Sequence, residues 1–190
     1  MRTRTLKLVQ IAIFSAIATV ISIIRIPVFF APSFYRLDLS DAVVLISGFS
    51  MGPTAAAMIE FLKVFLKILL KGSASMGIAD LAKFTIGLAL VLPSIIIYKK
   101  NSTFKGACLS LMAGSFCSIV VAALMNYFVL LPAFEALFNI SEQKIIAMVQ
   151  LINPLVFDKL TFVLFVVCPF NLVESMINSL LALIFIGRQK

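Results

Sequence analysis

The chain has 190 residues, of which 62% are hydrophobic and 13% charged, with a formal net charge of +8. Soluble domains have about 45–50% apolar and about 25% charged residues, so the composition excludes an ordinary soluble domain and indicates an all-α integral membrane protein. The sequence contains no His and no Trp, which removes His-based catalysis and most transition-metal sites. Its three Cys residues lack metal-site spacing, so we expect no metal ion and no cofactor.

The first apolar run, Leu8 to Ile24, follows three basic residues and is long enough to cross a bilayer when tilted. Ala12 and Ala16 are four residues apart within it, and this spacing allows another helix backbone to approach closely. The approaching helix could belong to a partner or to the same bundle, and the spacing does not decide between them.

Residues 25–37 contain two prolines and a set of aromatic residues, which predicts a loop rather than a helix. Phe30, Phe34 and Tyr35 in this loop could anchor it at the membrane interface or form a lid. The next helix is predicted to begin near Leu39, with Ser40 or Asp41 as its N-cap.

A break at Gly52-Pro53 separates this second helix from a third, which carries one polar stripe on an otherwise apolar surface. Glu60, Lys63, Lys67 and Lys71 span about 80° of the helix circumference at roughly 100° per residue. Ionisable residues at membrane depth usually mark a site or a docking surface. Snorkelling of the side chain to the headgroups is the alternative, and it suits Lys71 better than the whole stripe.

The fourth helix is predicted from about Ile78 to Tyr98 and includes Lys83. The uncharged run 106–134 exceeds the ~20 residues needed to cross, so we expect it to tilt or to project beyond the bilayer. Burial of the Asn126 side chain, beside Tyr127, costs free energy unless the side chain is hydrogen-bonded. Its hydrogen-bond partner could be another helix or a ligand.

Residues 135–168 are predicted to form a long loop with short helical pieces. The last helix is then expected to open with Pro169 in its first turn and to end at Gly187. Asn171 and Glu174 fall in its early turns, where the helix dipole favours an anion.

Six helices would place both termini on the same side of the membrane. Most of the basic residues fall on that side, which the positive-inside rule assigns to the cytoplasm. This bias explains the net charge better than nucleic-acid binding does. Five polar residues then lie toward the outer ends of their helices and suggest a pocket that opens outward: Asp41, Lys83, Asn126, Asn171 and Glu174.

Five short motifs resemble, in order, those of the riboflavin-binding S components of energy-coupling factor (ECF) vitamin transporters. They are Leu37-Asp-Leu-Ser-Asp41, Gly48-Phe-Ser-Met-Gly-Pro53, Asn126-Tyr-Phe-Val-Leu-Leu-Pro132, Ile152-Asn-Pro154 and Pro169-Phe-Asn171. The resemblance implies that residues 1–190 form a single transmembrane domain, that the protein lies in the cell membrane, and that it has no enzymatic activity. It would capture riboflavin from outside and work with a transmembrane coupling protein and two cytoplasmic ATPases.

The resemblance also implies roles for particular residues. Ala12 and Ala16 would dock on the coupling protein, and Phe30, Phe34 and Tyr35 would form the lid. The implied substrate-binding residues are Leu39, Ser40, Asp41, Lys83, Asn126, Tyr127, Asn171 and Glu174. The chain has no Gly-rich Lys-Ser/Thr loop for ATP, so energy must come from the partners.

Two positions differ from the family pattern, in which Asn often stands at position 83 and Lys at position 174. Because the two changes have opposite signs, Lys83 and Glu174 either pair directly or stand at opposite edges of the ligand. The alternatives to a riboflavin-binding subunit are an S component for another vitamin or a nucleobase-like compound, a structural membrane subunit, and an intramembrane enzyme. The scattered Asp residues and the lack of a Ser-His pair disfavour the enzyme.

Overall fold

The computed structural model describes residues 2–24, 26–28, 35–73 and 75–187, and these are almost entirely helical. The helices are α1 (Arg2–Ile23), α2 (Ser40–Met51), α3 (Pro53–Lys71), α4 (Ile78–Lys100), α5 (Phe104–Met125), α6 (Leu131–Phe138), α7 (Glu142–Gln150), α8 (Lys159–Phe162) and α9 (Cys168–Gly187). Two π-helical segments join neighbouring helices without a break: the first π segment (Asn126–Leu130) and the second π segment (Val163–Val167).

Four of the described helical stretches are long and apolar enough to cross a membrane, and two of them run through a π segment. They are Arg4–Ile23, Ile78–Lys100, Phe104–Phe138 and Lys159–Ile186. The 35-residue stretch 104–138 confirms a helix longer than the bilayer needs at the uncharged run. The helix α2 is shorter, with 12 residues or about 18 Å.

The final long helix begins ten residues before the predicted start at Pro169. Asp158 and Thr161 form a capping box: Asp158 Oδ1 accepts from the Thr161 backbone N–H at 2.7 Å, and Thr161 Oγ1 accepts from the Asp158 N–H at 2.9 Å. The hydrogen bonds from Thr161 also hold the pKa of the Asp158 carboxyl below its ordinary value. The predicted loop is therefore wrong over its last ten residues, because this cap starts the helix earlier.

Each π segment is followed closely by a proline. Pro132 follows the first π segment and Pro169 follows the second. A proline inside a helix lacks the N–H for the usual backbone bond, and its ring crowds the preceding turn. A wider π turn accommodates both problems. In the second π segment, the Phe165 carbonyl, four residues before Pro169, accepts instead from the Asn153 side chain at 3.5 Å.

The cap predicted for α2 is wrong in its identity. The helix begins at Ser40, its N-cap position is Leu39, and no side chain at that position caps it. The Ser40 N–H instead donates to Asp38 Oδ1 at 2.9 Å, and the Ala42 N–H donates to Asn178 Oδ1 at 2.8 Å. Asp38, two residues before the helix, and Asn178 of the distant helix α9 therefore accept the free backbone N–H groups of the first turn of α2.

The helix α2 is the centre of the bundle, since it packs against α1, α3, α4 and α9. One apolar core surrounds its second half and includes Val44, Leu45, Ile59 and Ile95. A second core, which includes Phe162 and Phe170, lies among the ends of α5 and α9 and the short helices between them. A two-stranded antiparallel ribbon (β1, Ile26–Pro27; β2, Arg36–Leu37) connects α1 to α2.

The helices α4 and α5 approach closely at Gly114. A Cβ added there would collide with the Ser94 hydroxyl and the Leu90 backbone carbonyl. The backbone carbonyl cannot move aside as a side chain can, so the glycine is needed for this packing.

We predict that Gly114→Ala destabilises the bundle by about 1–3 kcal/mol, because the added methyl forces α4 and α5 apart. The melting temperature of the purified protein in detergent measures this. Met112→Ala, on the exposed face of the same helix, is the control and should leave the melting temperature nearly unchanged. Equal melting temperatures for Gly114→Ala and the native chain would contradict the argument.

Candidate functional site

The polar stripe of α3 points into the bundle and forms ion pairs there. Lys63 is only 1% exposed, and its Nζ lies 2.6 Å from both Asp41 Oδ1 and Glu60 Oε2. Glu60 is fully buried against Gly87 of α4, where a side chain would collide with its carboxylate. Glu60 and Lys63 therefore face the interior of the bundle and not its surface.

At the C-terminal end of the stripe, Lys67 is paired and Lys71 is exposed. Lys67 Nζ lies 2.9 Å from Asp80 Oδ1, and Ser73 donates to the other oxygen of Asp80 at 2.5 Å. Lys71, at the end of α3, is exposed. Snorkelling therefore fits Lys71 alone, as the pattern suggested, while Lys67 ties α3 to the start of α4.

Lys83 and Glu174, the two positions that differ from the family pattern, form a direct pair. Lys83 Nζ lies 2.8 Å from Glu174 Oε1, and the same oxygen accepts the Asp38 backbone N–H at 2.9 Å. The carboxylate of Glu174 thus joins α4, α9 and the residue that leads into α2. Of the two arrangements that the sequence left open, the structure has the direct pair.

Asp38 and Asn178 are polar residues of this region that the sequence reasoning missed. Asn178 Nδ2 donates to the Asp38 carbonyl at 3.0 Å while its Oδ1 caps α2. Asp38 and Asn178 are 3% and 0% exposed. A signal was available for Asn178, because it lies four residues after Glu174 and therefore on the same face of α9.

A small cavity of about 10 Å³, which is room for about one water molecule, lies where α2, α4, α5 and α9 meet, between the two apolar cores. Three of the predicted site residues contribute to its lining: Asp41, Asn171 and Glu174. The remaining lining residues are Ile86, Leu90, Ser118 and Ser175. The cavity therefore combines one apolar wall, formed by Ile86 and Leu90 on the same face of α4, with carboxylate, amide and hydroxyl groups.

Asn126 and Asn171 are held in the same way. Each side chain donates its amide hydrogen to the backbone carbonyl four residues earlier, Asn126 Nδ2 to Ala122 at 2.8 Å and Asn171 Nδ2 to Val167 at 2.8 Å. Asn126 begins the first π segment and Asn171 bonds the last carbonyl of the second, and such segments are frequent at functional sites. Asn126 Oδ1 accepts the Tyr35 hydroxyl at 2.9 Å, so the loop before α2 reaches α5.

Tyr35 is the one predicted lid residue within the described part of the chain, and Phe30 and Phe34 lie outside it. Its ring packs edge-on against Phe170, with the centroids 4.8 Å apart. Tyr127 lies in the same apolar cluster but carries the Lys159 ammonium over its ring at 4.4 Å. Ser40 is buried and Leu39 is half-buried beside the cavity residue Asp41.

Ala12 and Ala16 are exposed on α1, while the residues that pack against the bundle lie on its other face, among them Ser15 and Ala18. Within the described residues, these two alanines therefore do not serve packing inside the bundle. Their use in docking remains a prediction.

The fold and the site define a multi-span membrane protein with a small polar site enclosed among its helices. The sequence matches the family model for the ECF transporter, substrate-specific component, over residues 6–186. The chain therefore belongs to the family of substrate-specific (S) components of ECF transporters.

Several relatives in this family carry a substrate in their names. Riboflavin transporter RibU of Staphylococcus aureus (strain TCH60) is 28% identical over 184 residues, which covers 96% of this chain and 89% of the relative. Riboflavin transporter FmnP of Bacillus subtilis (strain 168) is 27% identical over 184 residues, 95% of this chain and 90% of the relative. A solved structure, described as the S component of a bacterial ECF transporter, is similar with a TM-score of 0.75 at 26% identity, covering 98% of this chain and 95% of that one.

We predict that Lys63→Met lowers the stability of the protein by about 3–5 kcal/mol, because it leaves two buried carboxylates without their cation. The melting temperature in detergent measures the loss. Lys71→Met is the matched control, since Lys71 lies two helical turns along the same stripe and is exposed; its effect should be small. Similar effects of the two substitutions would show that the buried pair does not stabilise the fold.

Proposed function

We propose that this protein is the riboflavin-binding S component of an ECF transporter, which captures the vitamin at the outer surface for uptake driven by partner subunits. The observation that carries the proposal is the convergence of Asp41, Asn171 and Glu174 on one cavity. Asp41 and Asn171 belong to two of the motifs that resemble riboflavin-binding S components, and Glu174 lies three residues after the second of these motifs. The family match and the names of the two relatives support the same ligand.

The chemistry of the cavity suits a flavin. The isoalloxazine ring is flat and apolar on its faces, and the Ile86 and Leu90 side chains offer an apolar wall. Its imide N–H and the ribityl hydroxyls are donors, for which Asn171, Glu174 and Asp41 offer acceptor oxygens. The protein acts by binding, and its relatives are named as transporters rather than enzymes.

Entry of a flavin requires a segment to move. Pockets for ligands of this size measure about 300–1,000 Å³, whereas the present cavity is about 10 Å³, which is room for about one water molecule. Tyr35 is the candidate, because its contacts with Asn126 and Phe170 close the region next to Asn171. Its displacement would break the hydrogen bond to Asn126 and the ring contacts with Phe162 and Phe170, which supports a lid role for Tyr35.

The proposed topology has six membrane-crossing helices and both termini in the cytoplasm. Helices α1 to α5 and the final long helix would each cross once, with α2 reaching only part of the way. Arg4, Lys7, Lys99, Lys100 and Lys105 then lie at the cytoplasmic ends. None of the eight acidic residues of the sequence lies at those ends, and the basic excess supports this orientation.

The partners of the proposed complex are a transmembrane coupling protein and two cytoplasmic ATPases. Ala12 and Ala16 form a small-residue patch on the exposed face of α1, which would let a helix of the coupling protein approach closely. The family assignment supports such partners, and the lipid bilayer surrounds the rest of the exposed apolar surface.

We predict that the protein, expressed in a riboflavin-containing host and purified in detergent, carries the visible absorption of an oxidised flavin. After removal of the bound flavin, the protein should bind added riboflavin with a Kd below about 1 μM. Quenching of the riboflavin fluorescence measures this binding. Asn171→Leu should weaken binding about tenfold or more, because it removes a buried hydrogen-bonding group from the cavity. Gln150→Leu, an exposed amide on α7, is the control and should bind normally.

A protein that binds no flavin under these conditions would refute the proposal. Saturable binding of another vitamin or a nucleobase-like compound would then assign the protein to a different S component.

We predict that Ala16→Trp prevents copurification of the coupling protein and uptake of riboflavin, because the indole blocks close approach of the partner helix. Flavin binding to the isolated subunit should be unchanged. Ile17→Trp, exposed to lipid on another part of α1, should preserve the complex. Loss of flavin binding in Ala16→Trp would instead show that this alanine supports the bundle.

A further inference from the structure

The amide groups next to the cavity are oriented to accept hydrogen bonds. Asn126 and Asn171 both direct their NH₂ groups to backbone carbonyls, and a carbonyl accepts only from the amide nitrogen. Their Oδ1 atoms therefore face away from their own helix backbones. Asn126 Oδ1 already accepts a hydroxyl, that of Tyr35, and Asn171 lines the cavity. Both asparagines thus recognise donors.

The charged groups that line the cavity are carboxylates. Asp41 and Glu174 contribute to its wall, whereas Lys63 and Lys83 bind these carboxylates without lining it. Asp38 and Glu60 add two more buried carboxylates to the same group of side chains. Four carboxylates and two ammonium groups leave an excess of negative charge around the cavity, within the described part of the chain.

The start of α2 is the other place where an anion could bind. A helix N-terminus usually attracts anions through its free N–H groups and its dipole. Here the Ser40 N–H donates to Asp38 and the Ala42 N–H donates to Asn178. The N–H of Asp38, which precedes the helix, donates to Glu174. Protein oxygens already occupy these donors, and two of those oxygens belong to carboxylates.

We infer that this site selects uncharged ligands that present hydrogen-bond donors, that it rejects ligands with an anionic group, and that Glu174 determines this selectivity. The inference rests on the proposed function and refines it: riboflavin binds, and its 5′-phosphate ester (FMN) is excluded. Glu174 is the determining residue because it lines the cavity, pairs with the Lys83 ammonium, and accepts the Asp38 N–H just before α2.

The charges at this site are arranged so that a carboxylate, and not an ammonium group, lines the cavity. Lys83 lies on α4 with its Nζ 2.8 Å from Glu174 Oε1, and Glu174 forms part of the wall. A phosphate brought to this wall meets a like charge, and the N–H groups of Asp38, Ser40 and Ala42 are already bonded to protein oxygens.

The test compares three ligands on the purified, flavin-free protein by fluorescence titration. They are riboflavin, FMN, and N3-methylriboflavin, which lacks the imide donor. The native chain should bind both FMN and N3-methylriboflavin at least about tenfold more weakly than riboflavin. Because these measurements use only the native chain, they do not depend on whether any variant folds.

Glu174→Gln should bring the FMN and riboflavin affinities to within a few-fold of each other. Gln keeps an oxygen for the Asp38 N–H, removes the negative charge, and frees the Lys83 ammonium for a phosphate. Glu135→Gln, an exposed carboxylate on α6, is the matched control and should leave the affinity ratio unchanged.

Native protein that binds FMN as tightly as riboflavin would overturn the inference and leave the proposed function intact. A folded Glu174→Gln variant with the native affinity ratio would overturn the role of Glu174. Native protein that binds neither riboflavin nor FMN would refute the proposed function itself.

Discussion

The ion pairs of Lys63 are the interaction on which the rest of this structure depends. An ammonium group that is 1% exposed inside a membrane protein is tolerable only with close anionic partners. Asp41 of α2 and Glu60 of α3 provide them at 2.6 Å. Because Asp41 is the second residue of α2, this pairing fixes where that helix begins, opposite the middle of α3.

The position of the α2 start then determines the arrangement around it. A helix of about 18 Å that begins inside the bundle leaves its first N–H groups away from water. They need protein partners, and α9 supplies two residues. Asn178 accepts the Ala42 N–H of the helix itself, and Glu174 accepts the Asp38 N–H just before the helix. The same residues bring α9 beside α2 and α4, and the cavity lies at that junction. The fold and the site therefore use one set of polar contacts.

Much of this arrangement could be predicted from the sequence, and the failures have physical causes. The stripe of α3 was evident because charged residues recur at helical spacing in an apolar background, and opposite charges at positions 83 and 174 pointed to a pair. The prediction of one long loop over residues 135–168 missed the capping box, because its signal consists of only two residues, Asp158 and Thr161. Asp38 and Asn178 were missed because their partners are 136 or more residues away in the chain, a separation that no local pattern encodes.

The π segments link the strain of the fold to the chemistry of the site. A wider π turn stands before Pro132 and before Pro169, whereas Pro93 lies within the regular helix α4. Asn126 begins one of these segments, and Asn171 bonds the last carbonyl of the other. Since the amide nitrogens are held by the helix backbone, the carbonyl oxygens remain for Tyr35 and for the cavity. The acceptor character of the site thus follows from the way both asparagines bond their own helices, and Glu174 adds a charge to a surface whose hydrogen-bonding direction is already fixed.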